Sequence, residues 1–174
     1  MHNLYRNSTQ TMGMVIMQDD IDWLRQEQPY LRIFPSPFNM AEGRFSFRAK
    51  YRGKCELADC YNLRITWKPY ATRICDLVPI VTELDGKIER MAKNTNKPSA
   101  DFHLNTDGTL CLIRPDHIRE WYPILYSFRY FAKLLTSHLY WVTHFYNFGK
   151  EPWKAEEHGW KELTNIIESH EHRL

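Results

Sequence analysis

RFSFRAKYRGKCELADCYNLRITW, residues 44–67, is the stretch on which the fold turns. Phe45, Phe47, Ala49 and Tyr51 alternate with Ser46, Arg48 and Lys50. Tyr61, Leu63, Ile65 and Trp67 alternate with Asn62, Arg64 and Thr66. Successive side chains of a strand leave opposite faces, so period two is strand geometry. One apolar face and one wet face predict an antiparallel sheet covered on one side. The basic residues Arg44, Arg48, Lys50 and Arg52 then read as a solvated strand face. With a net charge of +2 and no run of Lys or Arg, the chain is not expected to bind nucleic acid.

Working outward, Asp19 and Asp20 are placed to cap a short helix over IDWLRQEQ (21–28), which Pro29 stops. The polar, irregular residues 1–18 read as a loosely attached, flexible leader, and residues 19–174 as one domain. On the other side, LVPIV (77–81) is apolar but contains Pro79, which cannot donate a ladder hydrogen bond; a short, edge or bulged strand is expected. KNTNKPSAD (93–101) is a loop, and FHLN (102–105) a last short strand before the turn TDG. Beyond Pro115, Ile124, Phe128, Phe131, Leu135, Leu139, Val142 and Phe145 recur at spacings of three and four, the signature of a long amphipathic helix. Pro123 suits its first turn and Gly149 its end. KEPWKAEEHG then leads to a closing helix over WKELTNIIESH (160–170). Strands grouped first and helices after predict an α+β fold: N-terminal helix, antiparallel four-strand meander, cysteine loop, C-terminal helices.

Four cysteines, Cys55, Cys60, Cys75 and Cys111, sit at irregular spacings without a C-x-x-C pair, so no zinc site or other metal is expected. MHNLYRNSTQTMGM lacks the apolar core of a secretory signal, and reduced thiols in a cytoplasm follow as the expectation. Arg129, Lys133, His138 and His144 interrupt the most apolar segment and argue against a membrane span.

Cys111 lies in DFHLNTDGTLCLIRP (101–115), just after a tight turn. His103, Asn105, Gly108, Cys111 and Leu112 spell H-x-N-x-x-G-x-x-C-L. This resembles the active-site stretch of ubiquitin-conjugating enzymes, in which a His-Pro-Asn element precedes a glycine turn and a cysteine-leucine; Leu104 stands at the proline's place. The order of elements over roughly residues 20–160 is similar too. The bacterial branch of that family is the nearer likeness, on HLNTDGTLCL, Trp121, and the Trp153, Glu157 and His158 of WKAEEHG. The resemblance implies a ubiquitin-conjugating-like fold and a thioester-forming acyltransferase in antiphage defence, within cyclic-oligonucleotide signalling systems. The acyl-donor partner would be a cGAS-like nucleotidyltransferase or a ubiquitin-like protein. No cofactor is implied. No adenylate-forming element stands in the chain, so activation is expected from a separate activating enzyme.

The chemistry needs few groups. The Cys111 thiolate would take the acyl group and yield it to an amine. Asn105 either donates its amide to the oxyanion of the tetrahedral intermediate or braces the loop. His103 is expected to hold the loop more than to act on substrate. Asp116 and His117 follow closely enough in sequence to deprotonate an incoming amine, and Trp121, Tyr122 and Tyr126 are candidates for a partner surface. Two other classes compete: a catalytically inactive binding module of the same fold, and a cysteine hydrolase pairing Cys111 with His158.

Overall fold

The computed structural model describes residues 11–121, 127–154 and 166–168. The strands are β1 (Thr11–Met12), β2 (Leu31–Phe34), β3 (Met40–Tyr51), β4 (Leu57–Thr66), β5 (Tyr70–Ala71), β6 (Ile80–Glu83) and β7 (Ile166–Glu168). The helices are α1 (Gln18–Glu27), α2 (Lys87–Asn94), α3 (Ile118–Trp121) and α4 (Phe128–Phe148). The fold is α+β: an N-terminal helix, a four-strand antiparallel meander in the order β2-β3-β4-β6, and a long C-terminal helix.

The alternation in 44–67 sets the sheet. Phe45 lies opposite Tyr61, and both are buried, as are Phe47, Ala49, Tyr51, Leu63 and Ile65. Each fully buried side chain of this size contributes roughly 1.5–3 kcal/mol. The other face is wet: Arg64 pairs with Glu42 across the strands at 2.6 Å, and Arg48 with Glu56 at 3.3 Å. Gly43 stands where β2 and β3 press together; a Cβ there would meet the Tyr30 carbonyl oxygen at 2.2 Å.

One edge of β3 is filled by three different groups in turn. β2 pairs with residues 40–43. The Gln28 side chain then replaces a strand, accepting from Ser46 N–H at 2.9 Å and donating to its carbonyl at 2.8 Å. β7 pairs with residues 49–51. Backbone groups that an edge strand would leave open are thereby satisfied.

α4 packs against β3, β4, α1 and α2. Every residue from Leu134 to Phe145 is buried, so this part of the helix is central and not the amphipathic surface helix its spacing suggests. Tyr140 and Thr143 are bonded inside. Tyr140 Oη–H donates to the Cys55 carbonyl at 2.9 Å, Thr143 Oγ1 lies 2.7 Å from Tyr61 Oη, and Thr143 donates to Asp59 at 3.3 Å. Burial beside these groups pushes the Tyr61 phenol up. The helix ends at Gly149, whose N–H bonds the Phe145 carbonyl at 2.9 Å, as expected.

Several expectations need correction. Residues 11–17 are not loosely attached: β1 pairs with β5, Met14 is buried and Met17 caps α1; residues 1–10 lie outside the described residues. Asp19 and Asp20 sit inside the first turn of α1, where the Asp20 carboxylate reaches back to Met17 N–H at 3.2 Å. The first sheet strand is β2, which the alternation did not single out. LVPIV splits: Ile74–Leu77 is a 3-10 turn and the strand is Ile80–Glu83. FHLN is no sheet strand; Ser99–Phe102 forms a 3-10 turn and Leu104 bridges Leu110. α2 was not foreseen. Ser127 is extended (φ −111°), so α4 starts at Phe128 and cannot run on from Pro123. Residues 166–168, expected as helix, are strand β7.

Candidate functional site

The glycine turn in TDG makes the site. The Gly108 N–H bonds the Asn105 carbonyl at 3.0 Å, and Gly108 takes φ +80°, a conformation that costs glycine little. Two rungs close a hairpin around it: Asn105 N–H to the Thr109 carbonyl at 2.8 Å, and Cys111 N–H to the His103 carbonyl at 2.8 Å. The rungs flank the bridged pair Leu104 and Leu110, and both leucines are buried.

Alternation along the second arm then fixes the cysteine. Leu110 and Leu112 are buried; Cys111, between them, is exposed. Thr109 and Cys111 are two residues apart and share the outward face, and Asn105, opposite Thr109, joins them. The hairpin is docked on the free edge of β6. Leu110 N–H donates to the Val81 carbonyl at 2.8 Å, Thr109 bridges Thr82, and Glu83 N–H reaches the Gly108 carbonyl at 3.4 Å. The thiol therefore rides on an extension of the sheet.

The structure gives Asn105 a definite partner. Its Nδ2–H donates to Thr109 Oγ1 at 3.0 Å. Thr109 donates in turn to Asp107 Oδ1, from its hydroxyl at 2.6 Å and its backbone N–H at 3.0 Å. These hydrogen bonds hold the Asp107 carboxyl below its usual range. Asn105 thus braces the loop, and a carboxamide retains a second N–H for another acceptor. Thr109 is the residue that sequence reading missed; its signal is its place two residues after Asp107, where an aspartate commonly bonds the backbone.

His103 is half-buried. It takes φ +53°, closing the turn Ser99–Phe102. Its ring meets the α4 residue Trp141 edge-on, with centroids 4.5 Å apart at 76°, and His138 at 5.7 Å. Burial lowers its pKa and so favours the neutral ring, with Glu151 and Asp101 partly opposing. Its backbone carbonyl, not its ring, is what the Cys111 amide touches.

Asp116 and His117 lie on a 3-10 turn, Pro115–His117. Arg114 grips Asp116 through two hydrogen bonds, 3.2 and 2.9 Å, and His117 Nε2 stands 3.6 Å from the same carboxylate. Desolvation works to raise the Asp116 carboxyl, but Arg114, a backbone hydrogen bond and His117 together hold it below the ordinary range. His158 and Glu157, and with them the hydrolase pairing, lie outside the described residues, as do Tyr122, Tyr126 and the Trp121 side chain.

Exposure alone does not mark Cys111, because all four cysteines are free and exposed. Cys60 faces outward opposite Ser46, Cys55 lies in the β3–β4 connection, and Cys75 in the turn Ile74–Leu77. Cys111 differs in its setting: a braced hairpin with a carboxamide on the same face. Among the described residues no group of three or more His, Cys, Asp or Glu is placed to hold a metal ion, and no helix is long and apolar enough to cross a membrane. No protein-family model, curated protein or solved structure matches this chain.

Proposed function

We propose that the protein is a ubiquitin-conjugating-like acyltransferase that carries an acyl group as a thioester on Cys111. The observation that carries this reading is the exposed thiol on a hairpin whose turn is braced by Asn105 and Thr109 and whose arm is tied to β6. A nucleophile must be reachable yet held still, and this arrangement supplies both. The motif H-x-N-x-x-G-x-x-C-L and the α+β order support the family likeness. α2, standing between the meander and the hairpin, falls outside the expected order.

In the proposed reaction the Cys111 thiolate attacks an activated carboxyl carbon, either an acyl adenylate or a thioester on a separate activating protein. A C–S bond forms and the adenylate or the other thiolate leaves with the bonding electron pair. An amine then attacks the thioester carbon and loses a proton to a base or to water; the C–S bond breaks and Cys111 leaves as thiolate. The donor is read as the C-terminal carboxyl of a partner protein, a cGAS-like nucleotidyltransferase or a ubiquitin-like protein, and the setting as antiphage defence. Both rest on the sequence likeness.

Alkylation tests the reading. In a variant with Cys55, Cys60 and Cys75 changed to Ser, transfer should persist, and stoichiometric iodoacetamide on Cys111 should stop it. Transfer that continues after mass spectrometry shows complete alkylation would overturn the proposal.

A further inference from the structure

The cysteine hairpin is held from below by a side chain that none of its own residues contributes. Trp141 is buried at the middle of α4, where its ring packs on Phe145 at 5.0 Å and also engages two groups outside the helix. Its edge-on contact with His103 supports the residue whose carbonyl receives the Cys111 N–H. Its Nε1–H donates to the Trp153 carbonyl at 3.0 Å, inside the protein.

Trp153 is itself clamped. Its ring stacks on Tyr140 with planes 5° apart and lies 4.4 Å from Tyr51, at the end of β3. Contacts therefore run without a gap from the sheet through Trp153 to Trp141, to His103 and to the Cys111 backbone. His103 holds a left-handed backbone, which a non-glycine residue keeps only where its surroundings fix it. The Trp141 ring is a large part of those surroundings.

We propose that Trp141 is a positioning residue for Cys111, with its orientation set by the segment that carries Trp153. Trp141 acts on Cys111 through His103. The inference depends on the reading of Cys111 as a nucleophile only for its bearing on catalysis. The mechanical claim stands apart: loosening Trp141 loosens the hairpin before it loosens the sheet.

Amide hydrogen exchange tests that claim in the full chain. The readout is the exchange rate at Cys111 divided by the mean rate over residues 61–66 of β4. Trp141→Phe keeps a ring against His103 but lacks the Nε1–H donor, and should raise this ratio about tenfold. Trp67→Phe, at a buried tryptophan that packs on Phe128 instead, should leave it unchanged. Should Trp141→Phe fail to fold, Trp153→Phe is read in the same way and should raise the ratio by several fold. An unchanged ratio in the Trp141 variant, or an equal rise in the Trp67 variant, would overturn the proposal, because a residue that merely fills the core moves both parts together. A raised ratio in a protein whose alkylated Cys111 still supports transfer would leave the positioning claim standing and remove the acyltransferase reading alone.

Discussion

Cys111→Ala is expected to abolish acyl transfer while leaving the fold in place. Removing the nucleophile from other covalent acyl-transfer enzymes costs on the order of 10⁶-fold, which in practice is loss to background. Stability should move little. The thiol is exposed between two buried leucines, so its removal opens no cavity, and surface changes of this kind stay within about 0.5 kcal/mol. The backbone bond from residue 111 to the His103 carbonyl survives the substitution. Cys60→Ala is the matched control: equally free and exposed, but on the outer face of β4, it should keep full activity. Equal loss in the two variants, measured by transfer rate beside urea unfolding, would mean that Cys111 has no special role.

The second large effect belongs to Asn105. Asn105→Ala should slow transfer to the amine about 100-fold, the cost of losing one oxyanion donor in related chemistry, and should slow loading less. The structure offers a way to separate this from loop bracing. Thr109→Val removes the hydroxyl that Asn105 contacts and leaves the carboxamide itself in place. A single bracing hydrogen bond is worth about 1 kcal/mol, or about fivefold in rate. Transfer rates for the two variants, measured in single-turnover reactions from preloaded protein, decide the matter. If Thr109→Val reproduces the whole loss, Asn105 acts only by holding the loop.

The parts of the molecule that were legible in the sequence are those where one physical signal acted alone. Period-two alternation from Phe45 to Trp67 has one cause, a sheet with a single buried face, and the strands lie there. The turn at Asp107-Gly108 was equally plain, and the hairpin is built on it. β2 was hidden because LRIF is four residues long, and at that length periodicity says little. α2 did carry a readable pattern, with Ile88, Met91 and Ala92 at helical spacing and all buried. Only its last two residues, Lys93 and Asn94, fall in the stretch 93–101 read as a loop, and the rest was given no element. The strand at 166–168 went the other way, since pairing with β3 overrode a helical-looking sequence.

At the site, the sequence placed Cys111, Asn105 and His103 on one loop and set His103 apart as a loop-holding residue, but it could not distinguish which way each side chain points. That distinction depends on contacts made by distant residues. Trp141 draws the His103 ring toward α4, and β6 holds the arm that turns Cys111 outward. Neither partner is near the motif in the chain. Asn105, by contrast, is engaged by a residue only four positions away, which a hairpin register would have foretold.

The central claim is that Cys111 carries an acyl group through a bond to sulfur. The most direct measurement is intact-protein and peptide mass spectrometry on the variant with Cys111 as its only cysteine, after incubation with an activated donor protein. The account predicts a one-to-one adduct on the peptide containing Cys111, released by thiol reductant because a thiolate is a good leaving group. With Cys111→Ser it predicts either no adduct or one that resists reductant, as an oxygen ester does. An adduct that forms on another residue, or one on Cys111 that reductant and added amine both fail to release, would contradict it.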